Sequence, residues 1–419
     1  MKTKFHIPMY DMVVCLSNAI DMVSPTLSNH NKKVAAIAAL IMEELGYDQD
    51  DIIRIIIAGS LHDIGALSLK ERLNLLSFEV NDVQKHAELG YRHVKSFSPL
   101  SDIAPLIRYH HFNVEQLDRD EISRKTAFES GVLHLADRIS ILIKSDTDII
   151  SQSRLITELI RPASGSLFYG KAVDAFLSVS EKESFWFTIS GNHINRYLES
   201  RMKKWKMFLD IDHLFEFAKL FGRVIDFRSS FTAVHSSRVS RISAALAGHA
   251  GMADENCRLI GIAGLLHDLG KLAVSSEILE KPSPLSDYEW NIMRRHSFHT
   301  YELLSGIEGF ETITRWAANH HERLNGNGYP FHYKENEITQ GERIVAVSDI
   351  FTALTEDRPY RKGLSPEDSL AILKLMVKQN ALDGFIVEKL SANVDQLNQI
   401  RLEAENEIAA EYNEFIKDI

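Results

Sequence analysis

Apolar residues recur at helical spacing along most of the chain. One apolar face comprises Val34, Ile37, Ala38, Ile41 and Leu45, and the pattern stops at Gly46. A second apolar face occupies residues 52–57, just before His62. Such spacing predicts amphipathic helices. The alternation typical of strands is found only weakly, at residues 185–189, so the sequence predicts an all-α protein.

The helical patterns surround two copies of one set of residues that can bind metal. In both copies the first His lies 32 residues before a His-Asp pair, and the third His lies 24 residues before a His-His pair. The offset between the copies rises only from 205 to 210 to 212 residues, which predicts a duplicated domain with lengthened loops. The first copy comprises His30, His62, Asp63, His86, His110, His111 and Asp137, and the second comprises His235, His267, Asp268, His296, His320, His321 and Asp349.

The duplication predicts two tandem helical domains, residues 1–205 and 206–419. A mixed segment at residues 145–210, with a turn at Pro162 to Ser166, separates the two patterns. The last residues, from Ser391 to Ile419, favour a charged helix. Ile400, Leu402, Ile408 and Tyr412 are possible points through which it packs on its own domain or on a partner chain, and the alternative is a solvated helix.

Composition is that of an ordinary globular protein, since 45% of the 419 residues are apolar and 25% are charged. A net charge of -11 argues against binding DNA through the general surface. Cys15 and Cys257 are the two cysteines, and they support neither a disulfide framework nor a thiolate metal site. The polar N-terminal stretch and the lack of long apolar runs predict a cytoplasmic protein without a membrane segment.

Adjacent His-Asp and His-His pairs indicate a particular metal chemistry. Neighbouring side chains on a helix diverge by about 100°, so adjacent ligands serve one centre only at a helix end or beside two ions. Histidine and carboxylate ligands without sulfur suit Fe, Mn, Co, Ni or Zn. Two ions about 3.5–4 Å apart would lower the pKa of a bridging water, whose hydroxide could attack phosphorus. A single buried histidine is usually a packing residue, but two copies of one spacing favour metal ligands.

One division of the second copy gives each ion four ligands, with the Asp268 carboxylate bridging the two ions. The first ion would take His235, His267, Asp268 and Asp349, and the second ion would take Asp268, His296, His320 and His321. This division leaves room at each ion for the shared hydroxide.

Further motifs of the second copy carry a family resemblance. They are His267-Asp268-Leu269-Gly270-Lys271, His320-His321-Glu322, Gly328-Tyr329-Pro330 and Arg358-Pro359-Tyr360-Arg361. In this order they resemble the HD-GYP family of bacterial cyclic dinucleotide phosphodiesterases, over roughly residues 210–390. The resemblance implies an all-α fold and hydrolysis of cyclic di-GMP or 3′,3′-cyclic GMP-AMP to a linear dinucleotide. It also suggests docking of diguanylate-cyclase-type domains, and we expect iron or manganese before nickel, cobalt or zinc.

The residue types support roles beyond metal binding. Lys271 follows His267 by one helical turn and can stabilise charge on a metal-bound phosphate. Arg358 and Arg361, three residues apart, offer two planar groups to hold phosphate or guanine, although such a pair is often solvated surface. Tyr329 is a candidate for contact with substrate or partner, and the loop that carries it could equally be a plain turn.

Two positions depart from the family pattern. Asn325 stands where the family usually has Asp, which weakens a supporting carboxylate but removes no ligand. Phe231 lies four residues before His235, where some members have a Glu that completes a third metal position. We therefore expect two ions in the second copy.

The first copy keeps all seven ligands but lacks the other motifs. Ala66 stands in the place of Lys271, and neither the Gly-Tyr-Pro loop nor the paired arginines follow. We expect a regulatory or dimerising domain, or one that binds another phosphorylated small molecule, with a metal site or with histidines kept only for packing. For the whole chain, which could form a homodimer, the alternatives to an enzyme are a non-hydrolysing cyclic dinucleotide receptor and a scaffold that docks cyclase domains.

Overall fold

The computed structural model describes residues 6–23, 29–66, 84–119, 121–144, 146–226, 234–357 and 362–416. The chain divides into two compact units. The N-terminal unit is Met12–Met207, and the C-terminal unit combines Met1–Asp11 with Phe208–Asp418. Each unit contains one complete copy of the repeated ligand set.

Helices build the N-terminal unit. Helix α1 (Met9–Asp21) begins in the segment assigned to the C-terminal unit and continues into this one. The other helices are α2 (His30–Glu44), α3 (Gln49–Leu61), α4 (Gln84–Lys95), α5 (Ala104–Arg108), α6 (Val114–Arg119), α7 (Arg124–Leu142), α8 (Ile149–Ile160), α9 (Gly170–Ser180), α10 (Glu183–Thr188) and α11 (His193–Met202), with 3₁₀ turns at Ser98–Leu100 and Arg161–Ala163.

The core of the N-terminal unit lies where α2 packs against α3 and α7. The apolar faces read from the sequence point into it, since Ile37 and Ile56 are fully buried. Helices α2 and α3 approach closely at Gly59, where an added Cβ would lie 2.7 Å from the Cα of Ala35. This packing fixes the ends of both helices, where two ligand histidines lie.

The C-terminal unit repeats this plan with additions. Its helices are α12 (Ile211–Asp226), α13 (His235–His249), α14 (Asp254–Leu266), α15 (Ser276–Leu279), α16 (Asp287–Met293), α17 (Arg295–Leu304), α18 (Glu311–Ala318), α19 (Gln340–Thr355), α20 (Pro366–Lys378), α21 (Gly384–Ala392) and α22 (Val394–Ile416), with a 3₁₀ turn at Leu269–Ala273. Strands β1 (Ile7–Pro8) and β2 (Phe208–Leu209) form a short antiparallel pair. Helix α13 packs against α14, α19 and α22.

The all-α prediction is confirmed, whereas the strand candidate and Leu402 as a packing point are wrong. The weak strand candidate at residues 185–189 lies largely in helix α10, where Phe185 and Trp186 are buried and Phe187 is exposed. The terminal segment is helical and packs within its own unit, but Leu402 is exposed, and the buried residues of α22 are Leu397 and Ala404. Ile400 and Ile408 are half-buried, while the side chain of Tyr412 lies outside the described residues. In the described part of the chain, no helix is both long and apolar enough to cross a bilayer.

Candidate metal centres

The histidines of both sets lie at or just beyond the ends of corresponding helices, whereas Asp137 and Asp349 lie within helices α7 and α19. His30 and His235 are the first residues of α2 and α13. His267 directly follows α14, and Asp268 already has a different backbone conformation with φ of -97°. The helix end therefore allows the adjacent His267 and Asp268 side chains to face one centre, as one of the two sequence interpretations required. We call the seven ligands of the N-terminal unit the first centre and those of the C-terminal unit the second centre.

The second centre brings all its predicted ligands together. His235 Nε2 lies 3.3 Å from Asp349 Oδ1, and His296 Nε2 lies 3.3 Å from His320 Nε2. The ring centroids of His296 and His321 are 5.0 Å apart. Two groups of three potential ligand atoms result, one from His235, His267 and Asp268 and the other from His296, His320 and His321, each within 4.8 Å.

Asp268 belongs to one group and also faces a histidine of the other. Its Oδ2 is 3.2 Å from His267 Nε2, whereas its Oδ1 is 3.5 Å from His296 Nε2. The two carboxylate oxygens thus face different groups of imidazoles. This orientation suits a carboxylate shared by two cations.

Backbone carbonyls orient the histidines of the second centre. Nδ1 of His267 lies 2.8 Å from the Gly264 carbonyl, and Nδ1 of His296 lies 2.7 Å from the Met293 carbonyl. Each Nδ1 can therefore donate a hydrogen bond, and this tautomer leaves the Nε2 lone pair directed at the centre. Gly270 allows α17 to approach, because an added Cβ would lie 1.9 Å from the His296 carbonyl oxygen.

The histidines leave buried nitrogen atoms that suit a metal. Over the described residues, the buried Nε2 atoms of His62, His110 and His267 have no hydrogen-bond partner. A buried polar atom without a partner is costly and rare in folded proteins. Metal coordination would satisfy all three atoms, so the residues of both centres fit divalent cations.

Electrostatics prepares the second centre for cations. Burial lowers the pKa of His296 to about 4 and that of His320 to about 3, so both rings are neutral at pH 7. Burial alone would raise the pKa of Asp268, but His267 and Lys271 hold it well below its usual range. Neutral imidazoles beside an ionised carboxylate are the forms that bind metals.

Lys271 lies beside the shared carboxylate. Its Nζ is 2.5 Å from Asp268 Oδ2, and 23% of its side chain is exposed. In the first centre the corresponding residue, Ala66, is buried. The second centre therefore has a cation at its rim that this position of the first centre cannot supply.

An anchored loop borders the second centre. The Glu322 carboxylate accepts hydrogen bonds from the backbone N–H groups of Phe331, His332 and Tyr333. Gly328 is required where the loop crosses its own start, because an added Cβ would lie 2.3 Å from the Arg323 nitrogen. The sequence motif therefore serves a tight local structure.

The anchored loop places Tyr329 beside the ligands. The Tyr329 ring centroid is 4.7 Å from that of His321, and the Arg294 guanidinium lies 4.9 Å from the same tyrosine ring. Arg294 was not identified from the sequence. Its position two residues before His296 was the available signal.

Three of the singled-out residues lie outside the described part of the chain, namely Arg358, Arg361 and Phe231. Asn325 is described, and its side chain bonds to loop backbone, donating to the Gln379 carbonyl and accepting from Asn327 N–H. These contacts belong to the loop rather than to a ligand.

A buried carboxylate behind His235 was also missed. Both Glu356 oxygens lie near His235 Nδ1, at 3.0 and 3.1 Å. Arg238 donates to Glu356 at 2.9 Å. A position-by-position comparison of the two copies could have drawn attention to Glu356, because the corresponding residue of the first copy, Lys144, has the opposite charge.

The first centre has the same ligands in different surroundings. His30 Nε2 lies 3.2 Å from Asp137 Oδ1, and His111 Nε2 lies 3.0 Å from His86 Nε2. The buried Arg138 guanidinium lies 2.6 Å from Asp137 Oδ2. Its counterpart in the second copy is Ile350.

His134, which the sequence gave no reason to select, is also part of the first centre's surroundings. Its ring centroid lies 5.9 Å from that of His111, and its counterpart in the second copy is Ala346. Burial, assisted by Arg138, lowers the pKa of His134 to about 4.

Family comparison identifies both units. Residues 27–142 and residues 219–386 each match the HD domain. The chain is a tandem HD-domain protein. Each HD domain contains one copy of the repeated histidine and aspartate set, and the family resemblance read from the motifs is confirmed.

Several curated relatives resemble this HD-domain protein. A 3′3′-cGAMP-specific phosphodiesterase 1 of Vibrio cholerae is 29% identical over 399 residues, which cover 93% of this chain and 92% of the relative. The 3′3′-cGAMP-specific phosphodiesterase 3 of the same organism is 32% identical over 57% of this chain and 53% of its own length. The cyclic di-GMP phosphodiesterase response regulator RpfG of Xanthomonas campestris is 36% identical over 43% of this chain and 48% of its own length.

A solved structure shares the fold. The crystal structure of a cyclic GMP-AMP-specific phosphodiesterase of Vibrio cholerae aligns with a TM-score of 0.64 at 21% identity. The alignment covers 93% of this chain and 98% of that chain. The tandem all-α arrangement therefore extends over nearly the whole of both proteins.

Proposed function

We propose that this protein is a metal-dependent phosphodiesterase that hydrolyses a cyclic dinucleotide to a linear dinucleotide. The observation that carries the proposal is the second centre, where a buried aspartate faces two groups of histidines and a partly exposed lysine lies at the rim. Relatives named as phosphodiesterases of 3′3′-cGAMP and of cyclic di-GMP support the same reaction class.

The metal ligands of the second centre are assigned as the sequence predicted. His235, His267, Asp268 and Asp349 would hold one divalent ion, and Asp268, His296, His320 and His321 would hold the other. When bound, such ions supply a nucleophile at neutral pH and neutralise charge on the phosphate. Iron or manganese is our first choice, because imidazole and carboxylate ligands without thiolate accept both.

The remaining residues orient the substrate and balance its charge. Lys271, 2.5 Å from Asp268 and partly exposed, can turn its ammonium toward a phosphate oxygen at the rim. Tyr329 and Arg294 border the ligands and can contact the same substrate. Arg358 and Arg361 keep their predicted role in holding the substrate.

The substrate choice is between 3′,3′-cyclic GMP-AMP and cyclic di-GMP. We favour 3′,3′-cyclic GMP-AMP as the first substrate to test, because a relative matched over 92% of its length carries that specificity in its name. For the first centre we propose metal binding without hydrolysis of the cyclic dinucleotide. Homodimer formation and docking of cyclase domains remain further predictions.

The deciding experiment measures linear product from each cyclic dinucleotide. The full chain is purified under reducing conditions, stripped of metal and reloaded with manganese or iron. Product should form only with metal, and Asp268→Ala should abolish it because the shared carboxylate is lost. Stoichiometric binding of the intact ligand by the metal-loaded chain, without product, would instead identify a receptor and overturn the enzyme assignment.

A further inference from the structure

His235 differs from three other histidines of the second centre in the group that contacts its Nδ1 atom. Nδ1 of His267, His296 and His320 lies against a backbone carbonyl. Nδ1 of His235 instead lies 3.0 Å from a carboxylate oxygen of Glu356. In the first centre the equivalent His30 Nδ1 lies 3.0 Å from the Ser140 hydroxyl. Among these four histidines of the second centre, His235 is therefore the one whose Nδ1 faces a carboxylate.

A carboxylate behind a ligand histidine changes how that histidine binds metal. It accepts a hydrogen bond from the Nδ1–H group, which would keep the proton of the metal-bound imidazole on Nδ1 and leave Nε2 to bind the ion. In this structure Nε2 lies 3.3 Å from Asp349 Oδ1, on the side of the other ligands. It also makes the imidazole a stronger donor than a backbone carbonyl would. Loss of such a partner typically weakens metal binding by about 10- to 100-fold.

The Glu356 carboxylate forms an ion pair with a buried arginine. Its residue is 5% exposed, so its charge requires a partner, and Arg238 donates to it at 2.9 Å. Arg238 is also 5% exposed, and its other terminal nitrogen lies 2.7 Å from Glu405 Oε2. Arg238 therefore joins two carboxylates, one beside the metal ligand and one on helix α22.

Helix α22 supplies none of the seven ligands, yet this chain of contacts connects it to the second centre. We propose that Glu356 is the positioning residue of His235, and that Glu405 of the terminal helix supports metal binding through Arg238 and Glu356. The proposal deepens the proposed function and rests on it only in that the second centre must bind metal.

A neighbouring ion pair provides a matched control. Glu407 of helix α22 pairs with Arg241 of helix α13, so it joins the same two helices as Glu405 and Arg238. No contact in the described structure links the Arg241–Glu407 pair to Glu356. Removing Glu407 thus tests helix attachment alone, whereas removing Glu405 tests the connection to His235.

The experiment measures the manganese dissociation constant of the second centre by competition with a chelating dye. The full chain is used, with His62→Ala in every sample so that the first centre contributes less. Glu356→Gln should weaken binding about 10- to 100-fold. Glu356→Asp, which keeps the charge, should recover part of the loss. Glu405→Gln should weaken binding several-fold, and Glu407→Gln should leave it unchanged.

The outcomes separate the two proposals. Thermal unfolding of the metal-free variants shows whether any has simply lost its fold, and Glu356→Asp keeps the test decisive if Glu356→Gln does not fold. Unchanged affinity in Glu356→Gln would overturn the positioning role, and equal effects of Glu405→Gln and Glu407→Gln would overturn the connection to α22. If the manganese affinities follow the prediction but the unmodified chain hydrolyses no cyclic dinucleotide, the proposed function is overturned and the positioning role stands.

Discussion

The first and second centres hold their cationic side chains in different places. In the first, the Arg138 guanidinium is buried and bonded to Asp137, one of the seven candidate ligands. In the second, Lys271 is partly exposed and bonded to Asp268, which faces histidines of both ligand groups. A partly exposed lysine can turn its ammonium group toward a bound substrate. A buried guanidinium that is bonded to Asp137 has no access to a substrate. The same set of candidate ligands can thus be combined with different surroundings, one that allows contact with a substrate and one that does not.

The second difference is the border of each centre. Tyr329 stands beside His321 on a loop that Glu322 anchors. After His111 the chain instead passes within a few residues into helix α6. The candidate metal ligands are therefore present in both copies, whereas among the described residues Lys271 and the loop that carries Tyr329 belong to the second centre alone.

Matched removal of a ligand tests this comparison most directly. His267→Ala should lower the rate of cyclic dinucleotide hydrolysis by at least about 100-fold, because metal ions contribute several kcal/mol to the transition state. His62→Ala, its counterpart, should leave the rate within about threefold. Steady-state kinetics on the metal-replete proteins provides the measurement. Equal losses in both variants would contradict the separation of roles.

Exchange at the lysine position tests the role of the rim cation. Lys271→Ala should lower kcat by about 100-fold, the typical loss when one donor to the transition state is removed. Metal content should stay near that of the unmodified chain, since Lys271 is not a ligand. Ala66→Lys should create no hydrolysis in a chain whose second centre is disabled by Asp268→Ala. A gain of activity there would show that the lysine alone separates the two centres.

The two clusters of candidate ligands could be predicted from the sequence, whereas much of what surrounds them could not. Residue type and repeated spacing mark residues such as His235 and Asp349 as candidate ligands, because metal coordination requires imidazole or carboxylate groups and both copies carry them in the same order. Glu356 and Arg238 lie 118 residues apart in the chain, and only folding brings them together behind His235. Phe185 and Trp186 misled the strand assignment because aromatic residues favour strands, whereas burial of both rings stabilises a short helix.

Replacement of Arg138 tests why the first centre differs. In an Asp268→Ala background, Arg138→Ile copies the residue found at position 350 and leaves the buried Asp137 without its cation. The metal-free protein should become less stable by about 3–5 kcal/mol, as expected for an uncompensated buried charge. Added manganese should restore more stability than it does with Arg138 present, because a divalent ion then neutralises Asp137. Thermal unfolding with chelator and with manganese checks this, and an equal metal-induced shift in both proteins would show that Arg138 does not compete with the ion.

Acid should destabilise both units when metal is absent, since each centre buries neutral histidines. The pKa values of His296 and His134 are about 4 in the folded chain, below the ordinary value of 6.5. The unfolded chain therefore binds more protons between about pH 6.5 and 4, so stability falls as the pH falls through this window. His235 acts in the opposite sense, because the effects of Glu356 and Asp349 outweigh that of burial and raise its pKa to about 10. Its contribution to the free energy of unfolding is fully present below pH 6.5 and is lost only as the pH rises toward 10. Each pKa unit corresponds to about 1.4 kcal/mol, so the acid loss should amount to a few kcal/mol. Unfolding of the metal-free chain at a series of pH values measures it, and a flat profile from pH 7 to 4 would mean that the folded histidines are not neutral.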